Sequence, residues 1–183
     1  MPETLLIRPA EANDAEALSR FASRTFEETF AHSTSAADMA AYLAAHYSPA
    51  IQRAEIDDPR ATTLIAGDGR DVLGYAQIRN NDVPDAVSDP AAIELVRLYV
   101  DRAWHGRGLA TGLMIQAETA ARDRGAQTMW LGVWEKNHRA NAFYRKHGYA
   151  EVGEHVFMLG ADKQRDLILC KKFIAPPASS REP

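Results

Sequence analysis

The feature that most constrains this chain is a glycine-rich turn between an apolar strand and an amphipathic helix. The stretch HGRGLATGL occupies His105–Leu113, and the strand pattern AIELVRLYV precedes it at 92–100. Glycines have no Cβ, so a ligand can approach the backbone closely. A helix that begins near Gly108 directs its free N–H groups at the same space, and Arg107 and Arg102 add mobile positive charge. These are the components of a phosphate site, although the turn alone fits a plain connecting loop equally well.

Two common nucleotide-binding motifs are absent from this turn. The chain has no G-x-x-x-x-G-K-[ST] sequence, and Thr111 occupies the third glycine position of the G-x-G-x-x-G fingerprint. No acidic residue about 20 positions further on ends a strand, so a ribose clamp has no candidate. The turn therefore matches neither the P-loop nor the dinucleotide-binding class.

The rest of the chain alternates short strands with helices. An N-D-A-E capping box predicts a helix over 13–30, and serine caps predict two more, at Ser33–Tyr47 and from Ser48 with Pro49 at its first position. The polar segment Asn80–Pro90 predicts a surface loop. The two strands that flank the glycine-rich turn and its helix should be parallel. Strand patterns occur at Thr4–Ala10, Thr62–Ala66, Val72–Arg79, Ala92–Val100, Gln127–Trp134, Tyr149–Glu154 and Arg165–Phe173.

Composition indicates one ordinary globular domain. The chain has 183 residues, 46% of them hydrophobic, and a formal net charge of -4, which does not favour nucleic acid as a partner. We expect the domain to occupy residues 1–174 and the Pro/Ser-rich residues 175–183 to be a disordered tail. The single cysteine, Cys170, permits no intrachain disulfide and fits a packed strand position. The chain shows no signal-peptide or membrane-spanning pattern, so we expect a cytoplasmic protein that does not bind membranes.

A second group of residues converges on the turn. In the helix predicted at Asn137–Gly148, four residues lie on one face: Asn137, Ala140, Phe143 and Tyr144. This helix follows the second of the parallel strands, and open sheets bind ligands at the carboxyl ends of such strands. An amide and a phenol are therefore expected beside the phosphate turn.

The two segments VRLYVDRAWHGRGLATGLM and NHRANAFYRKHGY resemble the GNAT superfamily of acetyl-CoA-dependent N-acetyltransferases. Its phosphate turn has the pattern Gln/Arg-x-x-Gly-x-Gly/Ala. Arg107, Gly108 and Ala110 fall in the latter part of that pattern, and His105 replaces the commoner glutamine or arginine. The resemblance extends in element order from Leu5 to Phe173. It implies an α/β (α+β) fold with a mixed, mostly antiparallel sheet, a splayed parallel strand pair and flanking helices.

The resemblance also implies where acetyl-CoA binds. The pantetheine arm would lie between the splayed strands and bond the main chain at Leu98, Tyr99 and Val100. Asn137 would hydrogen-bond this arm, and Phe143 would pack against it. The pyrophosphate would bind to His105, Gly106, Arg107, Gly108, Leu109, Ala110 and Thr111.

The reaction is attack of an amine on a thioester, and the amine must first lose a proton because a primary ammonium has a pKa near that of lysine, about 10.4. Glu94 is the candidate base, directly or through water, with a structural carboxylate paired to Arg97 or another cation as the alternative. Tyr144 would donate a proton to the departing thiolate, or else pack beneath the cofactor. A main-chain N–H near Leu98–Val100 would stabilise the oxyanion.

The segments WLGVWEKN, VGEHVFMLG and QRDLILCKK are similar to the PaiA type of bacterial spermidine/spermine N-acetyltransferases. A polyamine acceptor implies carboxylates around an apolar channel. The candidates for its wall are Glu27, Glu28, Asp38, Tyr42, Trp134, Glu135 and His155, with solvated helix charges as the alternative for the acids on the first two helices.

Other acceptors and a non-catalytic role stay open at this point. A protein N-terminus or an amino-sugar would use the same chemistry, and a catalytically silent acyl-CoA-binding regulator would use only the cofactor site. None of the six histidines lies in a metal-binding pattern, so no metal is expected. The chain could act as a monomer or a homodimer.

Overall fold

A seven-stranded sheet forms the centre of the structure, a computed structural model that describes residues 5–32, 34–68, 71–159 and 162–173. The strand order is β1-β2-β3-β4-β5-β7-β6. The strands are β1 (Leu6–Pro9), β2 (Ala61–Gly67), β3 (Val72–Arg79), β4 (Ile93–Val100), β5 (Thr128–Trp134), β6 (Ala150–Leu159) and β7 (Asp162–Lys172). The helices are α1 (Ala15–Phe30), α2 (Ala36–His46), α3 (Pro49–Asp57), α4 (Leu109–Asp123) and α5 (His138–Lys146), with 3-10 turns at Ala12–Asp14 and Arg102–Trp104.

Neighbouring strands pair in the mixed pattern that the sequence predicts. Five of the pairs are antiparallel, and β4 and β5 are parallel. The helix α4 connects this parallel pair, as a crossover of this kind requires. The fold class expected from the sequence is therefore confirmed. The predicted tail, residues 175–183, lies outside the described residues.

The helix caps refine three sequence predictions. The N-D-A-E box does not begin α1; the capping box joins Glu11 and Asp14, and α1 begins at Ala15. Ser35 caps α2, with its hydroxyl accepting from the Asp38 N–H at 3.1 Å. The predicted Ser33 cap lies outside the described residues. Ser48 caps α3 as expected. In the part of the chain that the structure describes, none of these helices has the length and apolar character needed to span a bilayer.

The sheet is covered on both faces. One face packs against α4 and contributes the largest core cluster, which includes Leu95, Leu113 and Met129. The other face packs against α1 and α2 and contributes a second cluster around Phe26 and Tyr75. On β4, Ile93, Leu95, Leu98 and Val100 pack in the first cluster and Tyr99 packs against the second, so a ligand beside β4 would contact both layers.

The segment Asn80–Pro90 is more than the polar surface loop that its composition predicts. Val87 is buried, and it packs with Trp130 and Ile168 on the strands β5 and β7. The Ala86 Cβ lies 2.5 Å from the position that a Cβ on Gly153 would take, so the loop is in close contact with β6. The loop therefore covers part of the sheet and has a fixed position.

The α4 core supplies a test of the packing. Leu113 is fully buried, whereas Ile115, two residues further along, is 54% exposed. We expect Leu113→Ala to lower the free energy of unfolding by about 2–5 kcal/mol, because it leaves a cavity between α4 and the sheet. Ile115→Ala serves as the control and should change it by less than about 1 kcal/mol. Urea unfolding measures both, and equal effects would contradict the burial described here.

Candidate active site

The parallel strands β4 and β5 separate after two residue pairs. Ile93 lies opposite Met129 and Glu94 lies opposite Trp130, and among the described residues no later pair joins the two strands. A cavity of about 1040 Å³ opens between them, lined by residues of both strands and of α1, α2 and α5. The splayed pair implied by the family resemblance is therefore present.

A β-bulge in β4 sets which side chains face this cavity. Leu95 lies opposite Ile78 and Arg97 lies opposite Gln77, so Val96 is an extra residue with no partner on β3. The extra residue reverses the alternation of side chains along the strand. Leu95 consequently faces the α4 core, whereas Arg97 faces the α1–α3 side.

The main chain beyond the bulge is open toward β5. The side chains of Leu98 and Val100 pack on the α4 core, and the Tyr99 ring stacks on Tyr75 with the centroids 5.8 Å apart. All three residues line the cavity. Because β3 uses only one edge of β4, the other edge keeps N–H and C=O groups available for a ligand, apart from the Val100 carbonyl, which contacts His105.

The glycine-rich turn has the conformation that its sequence predicts. Gly106 and Gly108 have φ values of +74° and +84°, a left-handed region that favours glycine, and no atom lies within 4 Å of where their Cβ atoms would be. Gly108 is also the N-cap of α4 and has no side chain with which to cap it. The first N–H groups of α4 are therefore left for a ligand.

Two residues of the turn face the protein. The Leu109 side chain is buried in the core, so only its main chain can meet a ligand. The Thr111 hydroxyl lies 3.3 Å from the His147 Nε2. Arg107 is exposed and lies over the Trp104 ring at 5.5 Å from its centroid, so its charge stands beside the turn.

His105 has partners at both ring nitrogens. Its Nε2 lies 3.0 Å from the Val100 carbonyl oxygen, and its Nδ1 contacts the Arg139 guanidinium. These partners suit a neutral ring that donates from Nε2 and accepts at Nδ1. His105 thus joins the end of β4 to α5 and brings Arg139 to the turn.

The start of α5 is bonded to the end of β5. The Asn137 Oδ1 accepts from the Ala140 N–H at 3.1 Å and caps the helix. The buried Asn141 donates its Nδ2 to the Trp134 and Asn137 carbonyl oxygens at 3.1 and 3.0 Å. Sequence reasoning missed Asn141, although its position four residues after the cap asparagine is a usable signal.

Tyr144 lies at the cavity, one helical turn further along α5. The residue is buried with a relative exposure of 9%, and burial raises the pKa of its hydroxyl well above the ordinary value. The hydroxyl therefore stays protonated at neutral pH. Phe143 packs on Tyr144 and His147 and is outside the cavity lining.

Glu94 also faces the cavity, and it is not paired with Arg97. Its Oε2 accepts from the Asn81 Nδ2 at 2.5 Å. Burial raises the pKa of the Glu94 carboxyl, and the Asn81 hydrogen bond acts in the opposite direction. Arg97 instead binds the Glu55 Oε2 at 2.5 Å and lies over the Tyr47 ring. Among the described residues, Glu94 therefore forms no ion pair with Arg97.

The acceptor wall differs in part from the sequence prediction. Glu28, Tyr42, Trp134 and His155 line the cavity, whereas Glu27, Asp38 and Glu135 do not. Glu27 is exposed on α1, one residue and about 100° away from Glu28. Asp38 bonds the Ser35 hydroxyl at the start of α2. Glu135 is turned away because its carboxylate binds Arg165 at 2.7 Å.

Asp166 on β7 is a cavity carboxylate that sequence reasoning missed. Its Oδ1 is buried and has no hydrogen-bond partner among the described residues, and its Oδ2 lies 3.9 Å from the His155 Nε2. Burial raises the pKa of Asp166. The His155 ring lies above Gly132, where a Cβ would be 2.9 Å from its Cε1. This carboxylate is available to a cationic ligand.

A comparison with protein families decides the identity of this site. The model of the family described as "Acetyltransferase (GNAT) family" matches residues 17–149. The chain belongs to the GNAT family of acetyltransferases. Like the other members of this GNAT family, it is an acetyl-CoA-dependent N-acetyltransferase. In the described part of the chain, no three His, Cys, Asp or Glu side chains are grouped as metal ligands.

Relatives and solved structures support the GNAT assignment. An uncharacterized N-acetyltransferase of Mycobacterium tuberculosis is 35% identical over 162 residues, 88% of this chain and 99% of the relative. One from Lactobacillus delbrueckii subsp. lactis is 34% identical over 150 residues, 82% of this chain and 87% of the relative.

The PaiA N-acetyltransferase of Thermoplasma acidophilum, solved in complex with coenzyme A, has a TM-score of 0.72 at 21% identity over 93% of this chain and 99% of its own. A GNAT acetyltransferase of Streptococcus pneumoniae has a TM-score of 0.70 at 22% identity over 93% and 100%. At these identities, the two structures show the fold alone.

The ion pair beneath the cavity supplies a stability test. Arg97 and Glu55 have side-chain exposures of only 12% each. Glu55→Ala leaves the Arg97 charge buried without its carboxylate partner, and we expect a loss of about 3 kcal/mol in the free energy of unfolding. The double variant Glu55→Ala/Arg97→Met should be more stable than the single variant. Asp57→Ala, which breaks the exposed pair with Arg53, is the control for urea unfolding. A double variant less stable than Glu55→Ala would contradict this account.

Proposed function

We propose that this acetyltransferase acetylates a primary amine of a small polycation, such as spermidine or spermine, by direct attack in a ternary complex. The observation that carries the proposal is the pair of carboxylates, Glu94 and Asp166, that line one cavity. In the described part of the chain, neither forms an ion pair with lysine or arginine. Carboxylates in this state favour a cationic ligand.

The cavity walls suit an alkyl chain that carries ammonium groups. Phe26, Tyr42, Trp134 and Phe157 all line the cavity. The Tyr42 ring stacks on Phe26 with the centroids 4.7 Å apart and meets Phe157 edge to face at 6.0 Å. Aromatic faces attract ammonium ions and also cover methylene groups. The resemblance to the PaiA type supports the same acceptor class.

The proposed position of acetyl-CoA follows from the open backbone. Its pantetheine arm lies along the free edge of Leu98–Val100. Asn137 uses its Oδ1 as a helix cap, and its NH₂ group is left to bond this arm. The pyrophosphate lies on the N–H groups of the turn His105–Thr111, where the glycines leave open space. Arg107 adds charge, and His105 acts through the Arg139 that it holds.

The proposed chemistry uses two groups on opposite sides of the acetyl carbon. Glu94 takes the proton of the bound ammonium, directly or through water, and the neutral amine then attacks the thioester carbonyl. The carbon–sulfur bond breaks, the protonated Tyr144 hydroxyl donates to the thiolate, and the second proton that the attacking nitrogen loses restores this hydroxyl. A main-chain N–H near the bulge stabilises the oxyanion. The products are the acetylamide, coenzyme A and one proton.

The mechanism predicts distinct effects for the two groups. Tyr144→Phe should lower kcat by roughly 10²-fold, because the leaving thiolate loses its proton donor. Glu94→Gln should abolish the rise of kcat/KM with pH, since the base acts only after it loses its proton. In the wild type that rise should lie above the range of an ordinary carboxyl, because burial raises the pKa of Glu94. Thiol release measured across a pH series tests both variants. Tyr149→Phe, which removes a buried hydroxyl outside the cavity, is the control, and a wild-type kcat for Tyr144→Phe would remove this tyrosine from the mechanism.

The acceptor class is tested at Asp166. We expect Asp166→Asn to lower kcat/KM for spermidine by roughly tenfold, about 1.4 kcal/mol of binding, because the carboxylate meets a second ammonium group. The value for butylamine, which has a single ammonium group, should change little. Glu154→Gln on the same strand pair, where Glu154 binds Arg165 outside the cavity, is the control. Faster turnover of a peptide N-terminus or an amino-sugar than of spermidine would overturn the polyamine assignment.

A further inference from the structure

The β3–β4 loop reaches the proposed base. Asn81, the second residue after β3, donates its side-chain amide to the Glu94 Oε2 at 2.5 Å. Among the described residues, Asn81 is the one hydrogen-bond donor to this carboxylate. Arg79 lies opposite Glu94 across the sheet, but its guanidinium is directed at Glu55 and Asp58, at 3.9 and 3.7 Å.

The loop that carries Asn81 is bonded at its start and packed against the sheet further along. At its start, the Asn80 N–H donates to the Arg60 carbonyl at 3.0 Å. Arg124, after the end of α4, donates to the Asn80 Oδ1 at 2.8 Å and to the Pro59 carbonyl at 3.0 Å. Further along, buried Val87 packs against β5 and β7. The loop therefore presents its amide at a constant place beside the cavity.

We propose that Asn81 is a positioning residue for catalysis: its amide holds one carboxylate oxygen of Glu94, which fixes the orientation of the base and favours its deprotonated form. This inference rests on the proposed role of Glu94. A side-chain N–H directed at one oxygen leaves the other oxygen to accept the substrate proton.

A substitution of Asn81 should leave the other electrostatic interactions of the Glu94 carboxylate in place. His155 from β6, Arg79 from β3 and Arg97 from β4 each favour the carboxylate electrostatically. Arg79 and Arg97 are themselves bound to acidic residues. Loss of the Asn81 amide should therefore raise the pKa of Glu94, while these three contributions persist.

The test compares variants of one loop. Asn81→Ala should move the acid limb of the pH profile of kcat/KM upward by roughly one pH unit, the scale of one hydrogen bond to a carboxylate. Asn81→Asp should move it at least as far, because it adds a like charge. Asn81→Gln keeps the amide and should restore part of the wild-type position. Asp82→Asn, at the next position, is the control and should leave the profile unchanged. Carbon NMR titration of the Glu94 carboxyl in the free enzyme should show the same upward shift.

The outcomes separate this inference from the proposed function. If Glu94→Gln removes the acid limb but Asn81→Ala leaves both the limb and the NMR titration unmoved, the positioning role of Asn81 is overturned and the base stands. If Glu94→Gln keeps the wild-type limb, Glu94 is not the base and the catalytic role of Asn81 falls with it. An upward shift in both readouts for Asn81→Ala, with an unchanged thermal midpoint, supports the proposal.

Discussion

The separation of β4 from β5 determines most of what this molecule can do. Each strand has a full partner on its outer side, β3 for β4 and β7 for β5. Among the described residues, the inner edges pair only at Ile93 and Glu94. Unpaired backbone groups must find water or a ligand. An amide-containing arm such as pantetheine can supply the missing strand, which is why a cofactor of this shape suits the gap. The same opening is lined by His105, which precedes α4, and by the first turn of α5.

The bulge at Val96 then decides the chemistry of that space. Without the extra residue, Arg97 would face the same side as Leu95 and would bring a charge into the α4 core. With it, Arg97 meets Glu55 on the α1–α3 side, where the two charges offset each other. Glu94 lies on the same face of the strand, but Arg97 is bound to Glu55 and forms no ion pair with Glu94. The hydrogen-bond partner of Glu94 among the described residues is the neutral Asn81 amide.

Sequence patterns predicted the strands, the helices and the glycine-rich turn, because these depend on local chemistry. A pattern of a few residues is enough to predict the local conformation in each case: the glycines at 106 and 108, the strand at 92–100 and the asparagine at 137. Contacts between distant residues were not predictable in this way. Nothing near Glu135 indicates that Arg165, thirty residues further on, would bind it. The bulge has no composition signal in a strand of mixed apolar and polar residues, so the contact of Arg97 with Glu55, 42 residues earlier in the chain, could not be foreseen. Asp166 was missed because a polar residue in an edge-proximal strand is normally solvent-facing.

The substitution of histidine for the commoner glutamine or arginine at position 105 is explained by charge placement. A neutral imidazole that bonds the Val100 carbonyl and Arg139 fixes the end of β4 and recruits an arginine from α5. The turn therefore keeps cations from three sources, Arg102, Arg107 and Arg139, while Glu94 and Asp166 lie on the face that α1 and α2 cover. A phosphate group and an ammonium group would each meet opposite charge within one continuous cavity. The net charge of -4 gives no sign of this separation between positive and negative groups. Specificity depends on the positions of the charges and not on their sum.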